Sequence, residues 1–424
     1  MYRFRQRILW MICLFSLFVF AGCRQGHDDQ HSQTDLSLTL LNPVPALQNG
    51  LQETAELYMR NHDIRIQVIA GSSISEEQLS FLFHASSPLT MAICPKNIPV
   101  EFLTQNAEVF QHAQWKTASG NSTNSFPLRL NGRGLLYNKT AIENVIGRPF
   151  KASSIDSLEN FKILLRELED KGMDSPILLS TSDADLGKNL LPFLYESQTG
   201  STHGAEQFIQ SLQNQEIELL HSGRFQQFLE TVDLLAAFSQ DPGENPEMLL
   251  ANGEAAFWLT SADAWQPPRY QKTIQIEYGI LPLFMGDNTM DFVNTSLPVS
   301  TDLQIIVNTH AEETQKTAAE EFLNWLACTT EGQLCITEKL GLASPFREVE
   351  FIPSNPINAA LKDYAEMDLA YPPYTLPADM TQAISPMLHS YLKGDLSKEE
   401  FAQEIERYFL KPDVNTANAR FHMH

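Results

Sequence analysis

The chain has 424 residues, 43% of them hydrophobic and only 19% charged, which is enough apolar material for two ordinary cores and too much for general disorder. Lys and Arg number 29 against 52 Asp and Glu, a formal charge of -23, so there is no basic field for a phosphate backbone and nucleic acid is excluded as a partner. Five cysteines without a C-x-x-C pair exclude a disulfide scaffold and give no zinc spacing, so neither a metal nor a cofactor is expected.

Arg3, Arg5 and Arg7 precede an apolar run, Ile8 to Phe20, too short to serve comfortably as a permanent membrane span. Residues 1–22 therefore read as a signal peptide. It ends in Phe20-Ala21-Gly22-Cys23, which resembles the bacterial lipoprotein box and makes Cys23 the expected lipid attachment site, with palmitate among the acyl chains. Removing residues 1–22 takes away three arginines and no acid, so the mature charge is -23 minus 3, or -26, and anchoring falls to the acyl chains alone. Residues 23–35 are polar and aperiodic, a flexible tether. The expected location is extracytoplasmic, at the periplasmic face or outer surface of a bacterial membrane.

Leu36 to Leu41 reads as a strand, and Leu47, Leu51, Ala55 and Tyr58 share a helical face. Ile64, Ile66 and Val68 alternate as in a second strand. Ser75 to Gln78 is a capping-box pattern before a short helix and a strand at Leu89 to Ile93. Such β-α-β units imply a parallel sheet, with ligands beyond the carboxyl ends of the strands, in the loops 42–46, 71–73 and 95–97. Asn42 and Asn97 are candidates from loop position alone.

Further on, Leu158, Phe161, Leu165 and Leu168 form one helical stripe, and Phe225, Phe228, Leu229, Val232 and Ala236 another. Ile177 to Leu179, Ala255 to Leu259 and Tyr278 to Leu283 supply strands for a second α/β lobe. Thr309 to Glu312 can cap a helix through Leu326, and Thr330 restarts one that Gly341 ends.

Three segments carry a family resemblance: GRGLLYNK (132–139) with the helix after it, LLANGEAAFWLTSADAW (249–265) followed by YGILPLF, and AAEEFLNWLACTTEGQLCITEKLGLASPFRE (318–348). In this order and separation they resemble family 1 extracellular solute-binding proteins, the maltose-binding type of ABC importer receptor. The resemblance implies an α/β fold, a two-lobe periplasmic-binding-protein clamshell in which each lobe is a mostly parallel sheet flanked by helices and the chain crosses three times. The crossings are expected near Phe126 to Leu130, Pro282 to Gly286 and Ala327 to Thr330. This gives an N-lobe of 36–127 plus 285–328, a C-lobe of 128–284 plus 329–410, and a tail of 411–424. It further implies a monomeric, non-enzymatic receptor whose ligand-closed form is recognised by ABC permease subunits.

A sugar presents apolar faces rimmed with hydroxyls, so its receptor needs aromatic platforms and Asp, Asn or Arg side chains. Trp265, Tyr371 and Tyr374 are the aromatic candidates, each with lobe core or surface as its other reading. By the family pattern Asn131 stands where a hydrogen-bonding side chain lies at the hinge, with Arg133 beside it; a turn at Asn131-Gly132 is the plainer alternative. Asp263 is either a ligand acceptor or a loop cap. Cys328 and Cys335 straddle a helix break and are read as free thiols rather than a bridge. Family members take mono- and oligosaccharides, others glycerol phosphates or polyamines. The competing classes are an exported carbohydrate-active enzyme, though no G-x-S-x-G, H-E-x-x-H or Walker motif is present, and a clamshell lipoprotein used as a sensor.

Overall fold

The computed structural model describes residues 36–71, 76–84, 89–95, 125–265, 276–347 and 353–410. Cys23, the tether, Asn97 and the C-terminal tail lie outside the described residues. The described residues form ten strands: β1 Ser37–Asn42, β2 Arg65–Ala70, β3 Met91–Pro95, β4 Phe126–Asn138, β5 Ile177–Leu178, β6 Ser239–Gln240, β7 Phe257–Ser261, β8 Tyr278–Leu281, β9 Leu297–Val307 and β10 Ala370–Tyr371. The longer helices are α1 Gln48–Met59, α2 Glu76–Phe83, α3 Lys139–Ile146, α4 Leu158–Asp170, α5 Thr202–Gln213, α6 Gly223–Ala237, α7 Glu313–Cys328, α8 Pro356–Glu366, α9 Ala378–Leu392 and α10 Lys398–Phe409.

Hydrogen bonding orders the strands β2-β1-β3-β9-β4-β7-β5-β6, with β8 also on β4 and β10 also on β9. The outer strands of each lobe are parallel, as β-α-β connection requires. The long strands β4 and β9 are antiparallel to each other and to β3, β7 and β8, and only β10 joins β9 in parallel among the described residues. β4 belongs to both lobes: Phe126 to Gly132 pair with β9, then Arg133 to Tyr137 pair with β7. A register shift between Pro127 and Leu130 marks the crossing.

The segments expected to cross differ in how they are packed. Leu283, Phe284, Met285 and Val293 are buried in the second lobe's core, and the Asn294 amide brackets the Met285 backbone at 2.8 and 3.1 Å. Pro282 to Gly286 are thus tied into this core. At the third expected crossing, Thr329 is a helix cap: its hydroxyl donates to the Trp325 carbonyl at 2.7 Å and accepts from Gly332 N–H at 3.0 Å. The turn after it stays on α1, with Lys339 paired to Glu53 at 2.9 Å, so the chain leaves this lobe beyond Ala343.

The family-like segments are packing devices. A Cβ on Gly134 would sit 2.3 Å from the Leu281 carbonyl, and one on Gly279 would sit 2.4 Å from the Tyr137 hydroxyl, so both glycines permit the close approach of β4 and β8. Asn138 caps α3 by accepting from Ala141 N–H at 2.9 Å while donating to the Leu250 carbonyl at 2.8 Å. The α4 stripe of Leu158, Phe161, Leu164, Leu165 and Leu168 is buried, and Phe161 meets Phe257 edge-on at 5.2 Å. Each such side chain contributes about 1.5–3 kcal/mol by burial. Helix α7 starts later than the Thr309 cap suggests, at Glu313 after Glu312.

Candidate functional site

At the crossing, Leu130, Gly132 and Gly134 lie on the buried face of β4, while Arg129, Asn131 and Arg133 are half-buried. The Arg129 guanidinium holds Asp302 of β9 through two bonds, 2.8 Å from Nε and 2.6 Å from Nη2. The same Nη2 reaches Asp263 at 3.5 Å. Asn131 joins the same two acids, donating to Asp302 at 2.8 Å and accepting the Asp263 N–H at 3.2 Å. Asp263 lies on the single 3-10 turn after β7, in the second lobe, so this network links both lobes. Its charged side chains are 21–29% exposed. Burial works against ionisation of Asp263, yet the Ser261 hydroxyl, Lys188, Arg129 and Asn131 together hold its carboxyl below the ordinary value.

Two residues along β4 the environment changes. Arg133 pairs with Glu196, whose side chain is 0% exposed, and lies 5.4 Å from the Phe193 ring centroid. The same Glu196 oxygen accepts the Tyr374 N–H at 2.7 Å, so one carboxylate ties the hinge strand to the loop after β10. Burial raises the Glu196 pKa despite Arg133 and the Tyr374 N–H, and its second oxygen has no partner.

The structure thus brings Asn131 and Asp263 together, and gathers Arg133, Tyr371 and Tyr374 around Glu196. Tyr371 is buried edge-on against Phe292 at 5.4 Å, and burial followed by the Glu196 charge holds its phenol well above the ordinary value. Tyr374 is half-buried against Tyr195. Trp265 is 4% exposed, packed 4.4 Å from Tyr278 within the apolar cluster of Leu136, Trp258 and Leu361. It is core rather than a presented platform, because the turn at 262–264 folds the chain back over β8. Asn42 is likewise spent on structure: its amide donates to the Val44 carbonyl and to Gln48, both at 2.9 Å, and accepts from Val44 N–H at 3.0 Å. Sequence reading missed Arg129, Asp302 and Glu196. The alternation of Arg129, Asn131 and Arg133 is a visible signal of a polar strand face; nothing in the local sequence marks Glu196.

Cys94 and Cys335 are buried free thiols, and Cys328 is half-buried. A hollow of about 360 Å³ lined by Lys171, Asp174, Gln240 and Glu254 sits at the far end of β7 from Asp263, away from the crossing. Among the described residues, no helix is long and apolar enough to cross a membrane.

No family model matches the sequence, and no curated protein matches it. Solved structures do. The chain is similar to a family 1 extracellular solute-binding protein from Bifidobacterium longum subsp. infantis, with 15% identity over 88% of this chain and 98% of that one and a TM-score of 0.58. It is also similar to apo RafE from Streptococcus pneumoniae, with 15% identity over 90% and 99% and a TM-score of 0.68. Maltose-bound MalE3 from T. maritima gives 14% identity over 88% and 99%, with a TM-score of 0.55. The fold is therefore the two-lobe clamshell of the family 1 extracellular solute-binding proteins.

Proposed function

We propose that the chain is a lipid-anchored extracytoplasmic receptor that captures a carbohydrate between its lobes and delivers it to an ABC import permease. The observation that carries this reading is the Arg129, Asn131, Asp263 and Asp302 network. It is supplied by both lobes, about a quarter open to solvent, and offers guanidinium and amide donors beside carboxylate acceptors, the mixture that a polyol requires. Binding proteins of the same fold described with raffinose, maltose, chitin oligosaccharide and galactopyranose support a carbohydrate over a polyamine. A ligand hydroxyl that inserts between Arg129 and Asp263 replaces only a 3.5 Å contact, and a long, partly exposed pair of this kind contributes about 1 kcal/mol or less. The exchange is cheap, and a ligand touching both lobes stabilises their closed arrangement.

Thermal-shift screening against raffinose, maltose, chitin oligosaccharides and polyamines tests the reading, since a ligand at 100 times its Kd adds about 2.7 kcal/mol. Stabilisation by a sugar that Asp263→Asn weakens supports it; stabilisation by polyamines alone, or turnover of the sugar, overturns it. Cys23→Ser is expected to release the protein from membranes, which fractionation of the expressing cells measures.

A further inference from the structure

The strand β9 ends against α2, and this junction presents two exposed imidazoles, His84 after α2 and His310 after β9, with ring centroids 4.3 Å apart and planes tilted by 46°. One side chain joins the backbone segments that carry them. Asn308, fully buried, donates from its amide to the Phe83 carbonyl at 3.0 Å and the Leu89 carbonyl at 2.8 Å, and its oxygen accepts the His310 N–H at 2.9 Å. The junction therefore fixes the backbone on which both rings stand, and the His84 ring is further held by its own helix.

Orientation follows from the hydrogen bonds. His84 Nδ1 lies 2.8 Å from the Ser80 carbonyl. A carbonyl only accepts, so Nδ1 carries the proton and the lone pair stands on Nε2, the arrangement that an outer-shell carbonyl imposes on a metal-binding histidine. Two imidazoles bound to one ion at about 2.0–2.1 Å, at neighbouring coordination positions, place their ring centroids roughly 4.5–5.2 Å apart. The observed 4.3 Å needs an outward shift of only a few tenths of an ångström to roughly 1 Å. The formal charge of -23 concentrates cations around the surface.

We infer that His84 and His310 form a two-imidazole site for a divalent transition metal ion, an ion that clips the end of α2 to the turn following β9. Imidazole nitrogens select zinc, copper or nickel over magnesium and calcium. Among the described residues no group of three or more His, Cys, Asp or Glu is placed to hold a metal, so water completes the coordination and the ion exchanges readily. The site lies in the first lobe, at the far end of β9 from β10, and involves none of the residues of the interlobe network. Sequence spacing gives no sign of it, because the two histidines come from elements far apart in the chain.

Zinc titration by calorimetry at pH 7.5 tests the site on the full chain, alongside His84→Ala, His310→Ala and a variant with His27, His31, His422 and His424 all changed to Ala. The expected result is one zinc equivalent that disappears in each single variant and survives in the fourfold variant, with zinc raising the unfolding temperature only where both His84 and His310 are present. Both single variants should unfold at the temperature of the unchanged protein when no zinc is added, since both side chains are exposed. Unchanged stoichiometry in the single variants overturns the site, and so does a loss confined to one of them, which means ligation by a single histidine.

Discussion

Two polar networks lie two residues apart on the same strand, and they have opposite physics. Around Asn131 the charges of Arg129, Asp263 and Asp302 are each about a quarter exposed, and the amide and both acids have several partners within 3.5 Å. Around Arg133 the partner carboxylate is fully enclosed, with one oxygen shared by two donors and the other with none. The first network loses little when a ligand hydroxyl replaces one of its bonds. The second would leave a buried charge uncompensated, so it holds the 370–374 loop in place and is unsuited to exchange. On one strand face, then, accessibility and not residue type separates a network that can exchange partners from a structural clamp.

The largest expected effect lies in the apolar cluster on the other side of β4. Trp265→Ala is expected to destabilise the unliganded protein by about 3–5 kcal/mol, measured by urea unfolding, because it empties a packed site. A loss below about 1 kcal/mol together with a large loss of sugar affinity would return Trp265 to the cleft. Next, Glu196→Ala strips the partner from Arg133 and from the Tyr374 N–H, for about 3 kcal/mol. Stability as high as that of the unchanged chain would show that the clamp is dispensable.

The pH dependence separates the two networks by sign. The folded pKa of Asp263 is depressed, so its stabilisation is complete above the unfolded value of 3.8 and is lost as the pH falls through the lower folded value. Glu196 is raised, so the folded state binds more protons than the unfolded one, and stability falls as the pH rises from 4.5 through the folded value. Unfolding curves of Asp263→Asn and Glu196→Gln across pH 3 to 7 are therefore expected to diverge from the parent in opposite directions as pH rises, the Asn variant losing ground and the Gln variant gaining it. Curves moving the same way would mean that the two carboxyls share one environment. The smallest stability effect belongs to Asn131→Ala, within about 1 kcal/mol. Its sugar affinity is expected to drop about tenfold by calorimetry, equivalent to 1.4 kcal/mol, as for one lost hydrogen bond to a charged or polar ligand group.

How legible these features are in the sequence depends on what makes them. The α4 stripe, the β1-α1-β2 unit and the restart at Thr330 follow from hydrophobic period and capping, which are local. The family-like segments are legible for the same reason: Gly134, Gly279 and Asn138 sit where strands touch or a helix begins, so they specify the scaffold while saying nothing of the ligand. The breaks at Pro282 and Ala327 read in sequence as interlobe crossings, and in the structure both also serve packing. Asn294 stitches the first into the second lobe's core, and Thr329 turns the second into a helix cap.

By itself, the sequence determined the alternation of strands and helices, because that rests on residue period, and the family-like segments in their order implied the two-lobe class. Only the tertiary structure decided that Asp302 meets Arg129 across 173 positions, that Glu196 is enclosed, and that Trp265 faces Tyr278. The physical reason is range. Pairing across strands and burial beneath a neighbouring loop depend on residues far away in the chain, and a side chain's exposure, which sets whether a charge recognises or clamps, exists only once those residues have come together.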